Sequence, residues 1–249
     1  MYSPSNILRN LLVLTPKGWV FAEEVNEGDK IYTVTPERTV KTVKVGDSFK
    51  EGMTFHYTGN NGLFEGYGST NTEIYTLDGH TVAHGDKQTE GLETVSRSLG
   101  FLYHNPTFRS VLPIGFKVIF EPSHIPVTEY GTIVTDMVFK KHTGLNAQRL
   151  HPIYAGLYLK TWNLMHGCLL VDDDQMAMDI QHICFRAGTL SYVEKNSKGK
   201  LIVKPYDATI TVESITLMNE KEKMPCFKGE NGETLHCVFR TPTQKMFIA

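Results

Sequence analysis

Three consecutive carboxylates, Asp172-Asp173-Asp174, stand directly before a stretch whose apolar residues recur at helical spacing. Carboxylate oxygens are the ligands a hard divalent cation prefers. The trio is therefore one candidate source of metal-assisted chemistry, and Asp136, which follows an apolar run, is a second and weaker one. The same trio has a simpler use at a helix start, where aspartate accepts hydrogen bonds from free amides and suits the positive end of the dipole. Its position favours capping. A second chemistry-bearing group is basic: Lys195, Lys198, Lys200 and Lys204 lie within one short segment. Lysines on a hairpin can contact phosphates, or they can keep a turn solvated. His104, His124, His142, His151, His166 and His182 show neither HxxxH nor HxH spacing, so they do not read as a metal cluster. Cys168, Cys184, Cys226 and Cys237 make no CxxC pair, which leaves reduced thiols of an intracellular, cytoplasmic protein as the reading.

The elements that must hold these groups follow from periodicity. The chain has 249 residues, 41% hydrophobic and 21% charged, the make-up of an ordinary globular protein with one large domain or two modest ones. Its net charge of −2 supplies no overall basic character of the kind a DNA-bound protein usually carries. No apolar run reaches the length of a membrane span, and Met1 to Ser5 do not open a secretory signal. Residues 11–100 are rich in Val, Ile, Thr and Tyr and punctuated by Gly. Thr39 to Val45 alternates polar and apolar, and Asn60-Asn61-Gly62 and Leu77-Asp78-Gly79 signal turns, so this stretch predicts antiparallel strands. In 101–200, Val111 to Phe120 and Gly131 to Phe139 have strand length. One helix is predicted from Pro152. A second follows Asp174, with Met176, Ile180, Ile183, Cys184 and Ala187 on one face and Gly188 to end it. Ser191–Lys195, the turn 196–200 and Leu201–Lys204 then predict a hairpin. Strands return with Thr209 to Ile215 and the turn Gly229 to Glu233. The fold class is thus mixed: a mostly antiparallel β domain, 1–100 with 201–249, interrupted by an α/β module over 101–200.

Two segments of the β part carry a family resemblance. Leu12 to Val20, running into Gly28-Asp29-Lys30-Ile31-Tyr32-Thr33-Val34, resembles the opening of the Hint fold of inteins and Hedgehog autoprocessing domains. Leu235 to Phe239 and Lys245 to Ala249 resemble that fold's late strands. The resemblance implies a splicing nucleophile about seven residues before Val13, which falls at Asn6; Ser5 is the nearby hydroxyl, and no cysteine is close. It implies a Thr and a His beside the scissile bond, and Thr76-Leu77-Asp78-Gly79-His80 is similar with one residue too many. It implies a final His-Asn pair, and the sequence runs only to Ala249. His236 and Cys237 lie where some inteins place auxiliary groups, and without that pair they read as edge-strand and core residues. The expectation is a Hint-like domain that does not splice, with Thr76 and His80 vestigial.

The insert carries a second resemblance. Leu169 to Gly188, with its polar cap, Ala177, Asp179, Ile180-Gln181 and closing Gly188, resembles the second helix of LAGLIDADG homing endonucleases of phage and microbial inteins. Ile153 to Trp162 then takes the place of the LAGLIDADG helix, with Ala155 and Gly156 as its small contact residues. The resemblance puts the family's Mg²⁺-binding carboxylate at Thr161 and the following glycine at Trp162. A threonine is a poor substitute for that ligand. The implied function is an intein-derived, free-standing homing-endonuclease-like protein with a degenerate nuclease site. Its expected partners are double-stranded DNA, met through Lys195, Lys198, Lys200 and Lys204, and a second copy, met through 152–165. Two alternatives stand beside it. One is an active Mg²⁺-dependent DNA endonuclease that uses Asp136 or Asp172. The other is a virion or assembly protein that reuses the β scaffold as an interaction module.

Overall fold

The computed structural model describes residues 7–34, 40–50, 53–59, 61–69, 73–75, 81–83, 93–94, 118–120, 126–128, 169–186, 190–205, 210–218 and 222–249. Within them the chain is mostly antiparallel β with one α-helix. It divides into two compact units: Met1–Ser98 with Tyr206–Ala249, and Leu99–Pro205. The predicted helix from Pro152, Thr161, Asp136, the nucleophile position at Asn6 and Ser5, and Thr76 to His80 all lie outside the described residues.

The first unit begins with β1 (Leu12–Thr15) and β2 (Gly18–Phe21), a hairpin in register from Leu12↔Phe21 to Thr15↔Gly18. Thr15 makes the turn: its Oγ1 donates to the Gly18 carbonyl at 2.8 Å and accepts from the Lys17 N–H at 3.1 Å. Gly18 sits at φ +114°, a conformation that a side chain would strain. β3 (Lys30–Val34) and β4 (Val40–Phe49) follow. Asp29, just before β3, accepts the Asn26 N–H at 2.9 Å on Oδ2, and the backbones of Asp29 and Val45 bond at 2.8 Å. The Thr-Pro-Lys-Gly-Trp and Gly-Asp-Lys-Ile signatures therefore act here as turn chemistry.

β5 (Thr54–Gly59) and β6 (Phe64–Ser69) form the next hairpin, which turns through Asn61 (φ 55°) and Gly62 (φ 77°) as the Asn-Asn-Gly signal predicts. β7 (Glu73–Tyr75) pairs with β8 (Thr81–Ala83), and β9 (Glu93–Thr94) follows. In the second unit β10 (Val118–Phe120) pairs with β11 (Pro126–Thr128). β12 (Leu169–Val171), helix α1 (Asp174–Arg186), β13 (Ser191–Lys195) and β14 (Leu201–Pro205) come next. The first unit resumes with β15 (Ile210–Leu217), β16 (Cys226–Gly229), β17 (Val238–Arg240) and β18 (Met246–Ile248).

The two parts of the first unit interleave. β1 lies beside β17 (Leu12↔Arg240, Val13↔Phe239), β4 beside β16 and β5 beside β15, and β18 packs against β6. The core is aliphatic at Leu11, Val13, Leu14, Ile31 and Val45 and aromatic at Tyr67, Phe227, Phe239 and Phe247, all fully or almost fully buried. Phe239 stacks on Phe247 with ring centroids 5.3 Å apart and on Phe227 at 6.3 Å. Such pairs add about 0.5–1.5 kcal/mol each beyond the area they bury.

The chain leaves this unit after β9 and returns at β15, and those two strands pair, Thr94↔Ile210 and Glu93↔Thr211. The two strands that precede and follow the insert are thus paired within the β unit itself. Replacing Leu99–Pro205 by a Gly/Ser linker of roughly ten residues, which closes a shorter loop at small entropic cost, should leave a β-type far-UV circular dichroism spectrum and a cooperative melt. An aggregated or non-cooperative product would show that the insert is needed to hold the β strands together.

Candidate functional site

In the second unit the sequence pattern builds a helix on a small sheet. Asp173 caps α1: its Oδ1 accepts the Met176 N–H at 2.8 Å, and its carbonyl takes the first helical bond from Ala177 at 3.1 Å. Such a cap contributes about 1 kcal/mol. Met176, Ala177, Ile180, Ile183 and Cys184 are buried. They pack on a sheet ordered β12-β14-β13, with Val171, Val193 and Val203 buried in it. The Gln181 amide donates to the Ser191 carbonyl at 3.2 Å and ties the helix to β13.

The β13–β14 turn is shaped by Asn196. Its Oδ1 accepts the N–H groups of Lys198 and Lys200, both at 2.9 Å, while Gly199 takes φ 75°. Lys195, Lys198, Lys200 and Lys204 are all exposed. They are not equivalent, because Lys204 Nζ lies 2.5 Å from Glu194 Oε1 across the hairpin. Three lysines therefore surround one tight turn, and the fourth is tied to a carboxylate. Asp172 is exposed and leaves the sheet just after Val171, which pairs with Leu201. Among the described residues no three His, Cys, Asp or Glu side chains converge as metal ligands.

The first unit holds a polar cluster that the sequence did not single out. Glu65 lies where the β17–β18 turn meets the β5–β6 hairpin. Its Oε1 accepts the Tyr67 hydroxyl at 2.7 Å, and its Oε2 accepts the Thr243 hydroxyl and lies 3.7 Å from Lys245 Nζ. His56 stacks on Tyr67, and its Nε2 is 3.3 Å from Glu65 Oε1, close but not aligned as a hydrogen bond. Lys245 also donates to the Gly62 carbonyl at 2.6 Å. Burial by itself would raise the Glu65 carboxyl. The contacts with His56, Thr243, Tyr67 and Lys245 outweigh it and pull the group down to about 2. A carboxylate so acidic and so fully engaged is a weak base, and it works as a clasp between strands from distant parts of the chain. These residues escape sequence reading because only strand pairing and a turn from the far end of the chain bring them together.

The described thiols are unsuited to nucleophilic chemistry. Burial pushes Cys184 up to about 12, raises Cys226 and raises Cys237 well above the usual thiol range. Cys237 is fully buried, with its Sγ donating to the Leu235 carbonyl at 3.5 Å. The carbonyl of His236 accepts the Val34 N–H at 2.9 Å and the Thr33 hydroxyl at 3.2 Å. At these positions both residues serve the strand seam.

No family model matches the chain, and no curated protein does. Among solved structures the chain aligns with the solution structure of a bacterial intein-like domain from Clostridium thermocellum. The identity is 12%, over 98% of this chain and 97% of that one, with a TM-score of 0.37.

Two outcomes are expected from these geometries. Glu65→Gln should destabilise the protein by about 1–3 kcal/mol at neutral pH, the range for breaking hydrogen bonds to a charged group. Because the folded carboxyl is depressed to about 2, its contribution is full above the unfolded value of about 4.3 and fades as pH falls toward 2. Urea unfolding of both proteins should therefore show a gap at pH 7 that narrows through that window; a constant gap would contradict the clasp. In native protein, Cys184, Cys226 and Cys237 should resist iodoacetamide and react only after denaturation, as read by peptide mass mapping.

Proposed function

We propose that this chain is a Hint-like β domain without splicing chemistry, carrying a LAGLIDADG-like module that binds double-stranded DNA without cutting it. The observation that carries the DNA reading is the trio of exposed lysines, Lys195, Lys198 and Lys200, around one tight turn of a hairpin braced by a packed helix. Lysines held this way meet phosphates and supply affinity rather than sequence readout. The Hint-like reading draws on the motifs at both ends of the β unit and on the pairing of β1 with β17. The absence of splicing rests on Asn6 at the nucleophile position and on the buried, unreactive thiols. The loss of cutting rests on Thr161 in place of the acidic ligand. Since one module offers a single LAGLIDADG-like helix, a second copy is the proposed partner through 152–165.

Fluorescence anisotropy with a labelled duplex tests this reading. Three lysine–phosphate contacts should make the logarithm of the binding constant fall with log salt at a slope near −2.7, about −0.9 per contact. Replacing Lys195, Lys198 and Lys200 with alanine should abolish most of that slope, and Mg²⁺ should produce no strand breaks. Duplex cleavage that Asp136→Asn or Asp172→Asn removes would establish the active-endonuclease alternative. No salt-sensitive binding, together with co-purification with virus particles, would favour the assembly role.

A further inference from the structure

The turn between β13 and β14 spends most of its backbone donors on itself. Asn196 is the hub. Its N–H donates to the Lys200 carbonyl, and its own carbonyl accepts the Gly199 N–H, both at 2.9 Å. Its Oδ1 takes the N–H groups of Lys198 and Lys200, also at 2.9 Å. The N–H groups of Asn196, Lys198, Gly199 and Lys200 are thereby used, and that of Ser197 is not. The bond from Gly199 to Asn196 closes a four-residue β-turn in which Ser197 holds the second position. The N–H at that position lies outside the closed ring. The Ser197 hydroxyl is exposed as well, and neither of its donors has a partner among the described residues. Lys198 follows it directly, so their Cα atoms are about 3.8 Å apart. Lys195 stands two residues before Ser197 and Lys200 three after, and all three lysines are exposed. The tip of the hairpin thus carries two unused neutral donors on one residue, set in a run of ammonium groups.

We infer that Ser197 is a phosphate-contacting residue, whose N–H and hydroxyl donate to a phosphate oxygen of the duplex backbone at the tip of the lysine turn. This deepens the DNA-binding reading above and rests on it. Serine hydroxyls and backbone N–H groups are regular partners of phosphate oxygens. They differ from lysine in one measurable respect. A lysine that neutralises a phosphate releases counterions, so its contribution falls as salt rises, whereas a neutral donor releases none. Ser197 therefore adds affinity that salt does not remove. It also fixes where the phosphate sits, because a hydroxyl and an N–H on one residue define a position more narrowly than long, flexible lysine side chains do.

The test measures duplex affinity of the full-length protein across a salt series by fluorescence anisotropy. Ser197→Ala removes the hydroxyl and nothing else. It should weaken binding about five-fold, the effect of one ordinary hydrogen bond, by the same factor at every salt concentration. The slope of log affinity against log salt should stay that of wild type. Ser197→Thr, which keeps a hydroxyl, should recover most of the loss. Lys198→Ala should behave differently, flattening the slope by about 0.9. Three results overturn the contact: a Ser197→Ala variant that binds as wild type does, a Ser197→Thr variant as weak as Ser197→Ala, or a Ser197→Ala loss that comes with a flatter slope, since the serine would then act only through the lysines. If wild type itself does not bind duplex even at low salt, the DNA-binding reading falls, a result distinct from binding that is merely insensitive to Ser197.

Discussion

The β unit depends on one long-range pairing, that of β1 with β17. Strand β17 is interior to its sheet, with β18 on one side and β1 on the other. The residues leading into it make the remaining links: Thr33 bridges to Cys237, the Val34 N–H donates to the His236 carbonyl, and the Cys237 N–H donates to the Ala249 carbonyl at 2.7 Å. Buried N–H and C=O groups left unpaired are expensive, so no strand in this seam can be withdrawn alone. The aromatic stack follows from the same pairing, because Phe239 can meet Phe227 and Phe247 only once β17 is seated. The burial of Cys237 follows too. A thiol on this seam is held away from water and from any substrate.

A different logic governs the second unit. There the helix is local, and its cap, its buried face and the hairpin beside it arise within a few dozen residues. What makes that region interesting is charge placed at one end of a small sheet. Lysines and aspartates share that end, and Lys204 is drawn to Glu194, so a count of basic residues overstates the positive field that a phosphate would feel. Over residues 169–205 five acids balance five bases, and one of those bases, Lys204, is held in an ion pair with Glu194.

Local features were the ones legible in the sequence. The Asp cap before Met176, the hairpin 191–205 with its Asn196 turn, the Asn61-Gly62 turn and the strand after Thr209 each follow from residue types whose preferences act over a few positions. Glu65 shows what periodicity cannot reveal. Its four partners come from two strands and a distant turn, and no spacing in the chain announces them. Cys237 shows the reverse case, a residue type suggestive of chemistry whose environment removes the chemistry. In the insert, Thr161 and the helix from Pro152 lie outside the described residues, and there the reading rests on resemblance alone.

The span from Thr33 to His236 is 203 residues, and it has a consequence during synthesis. A ribosome adding about 5–20 residues per second needs roughly 10–40 s to make that interval. Throughout that time β1 has its hairpin partner on one edge and nothing on the other. The helix and hairpin of the second unit are complete before β17 and β18 are made. The nascent chain is therefore open to wrong strand pairing until β17 emerges. Any factor that shields an open β edge would raise the yield of folded protein without touching its final stability.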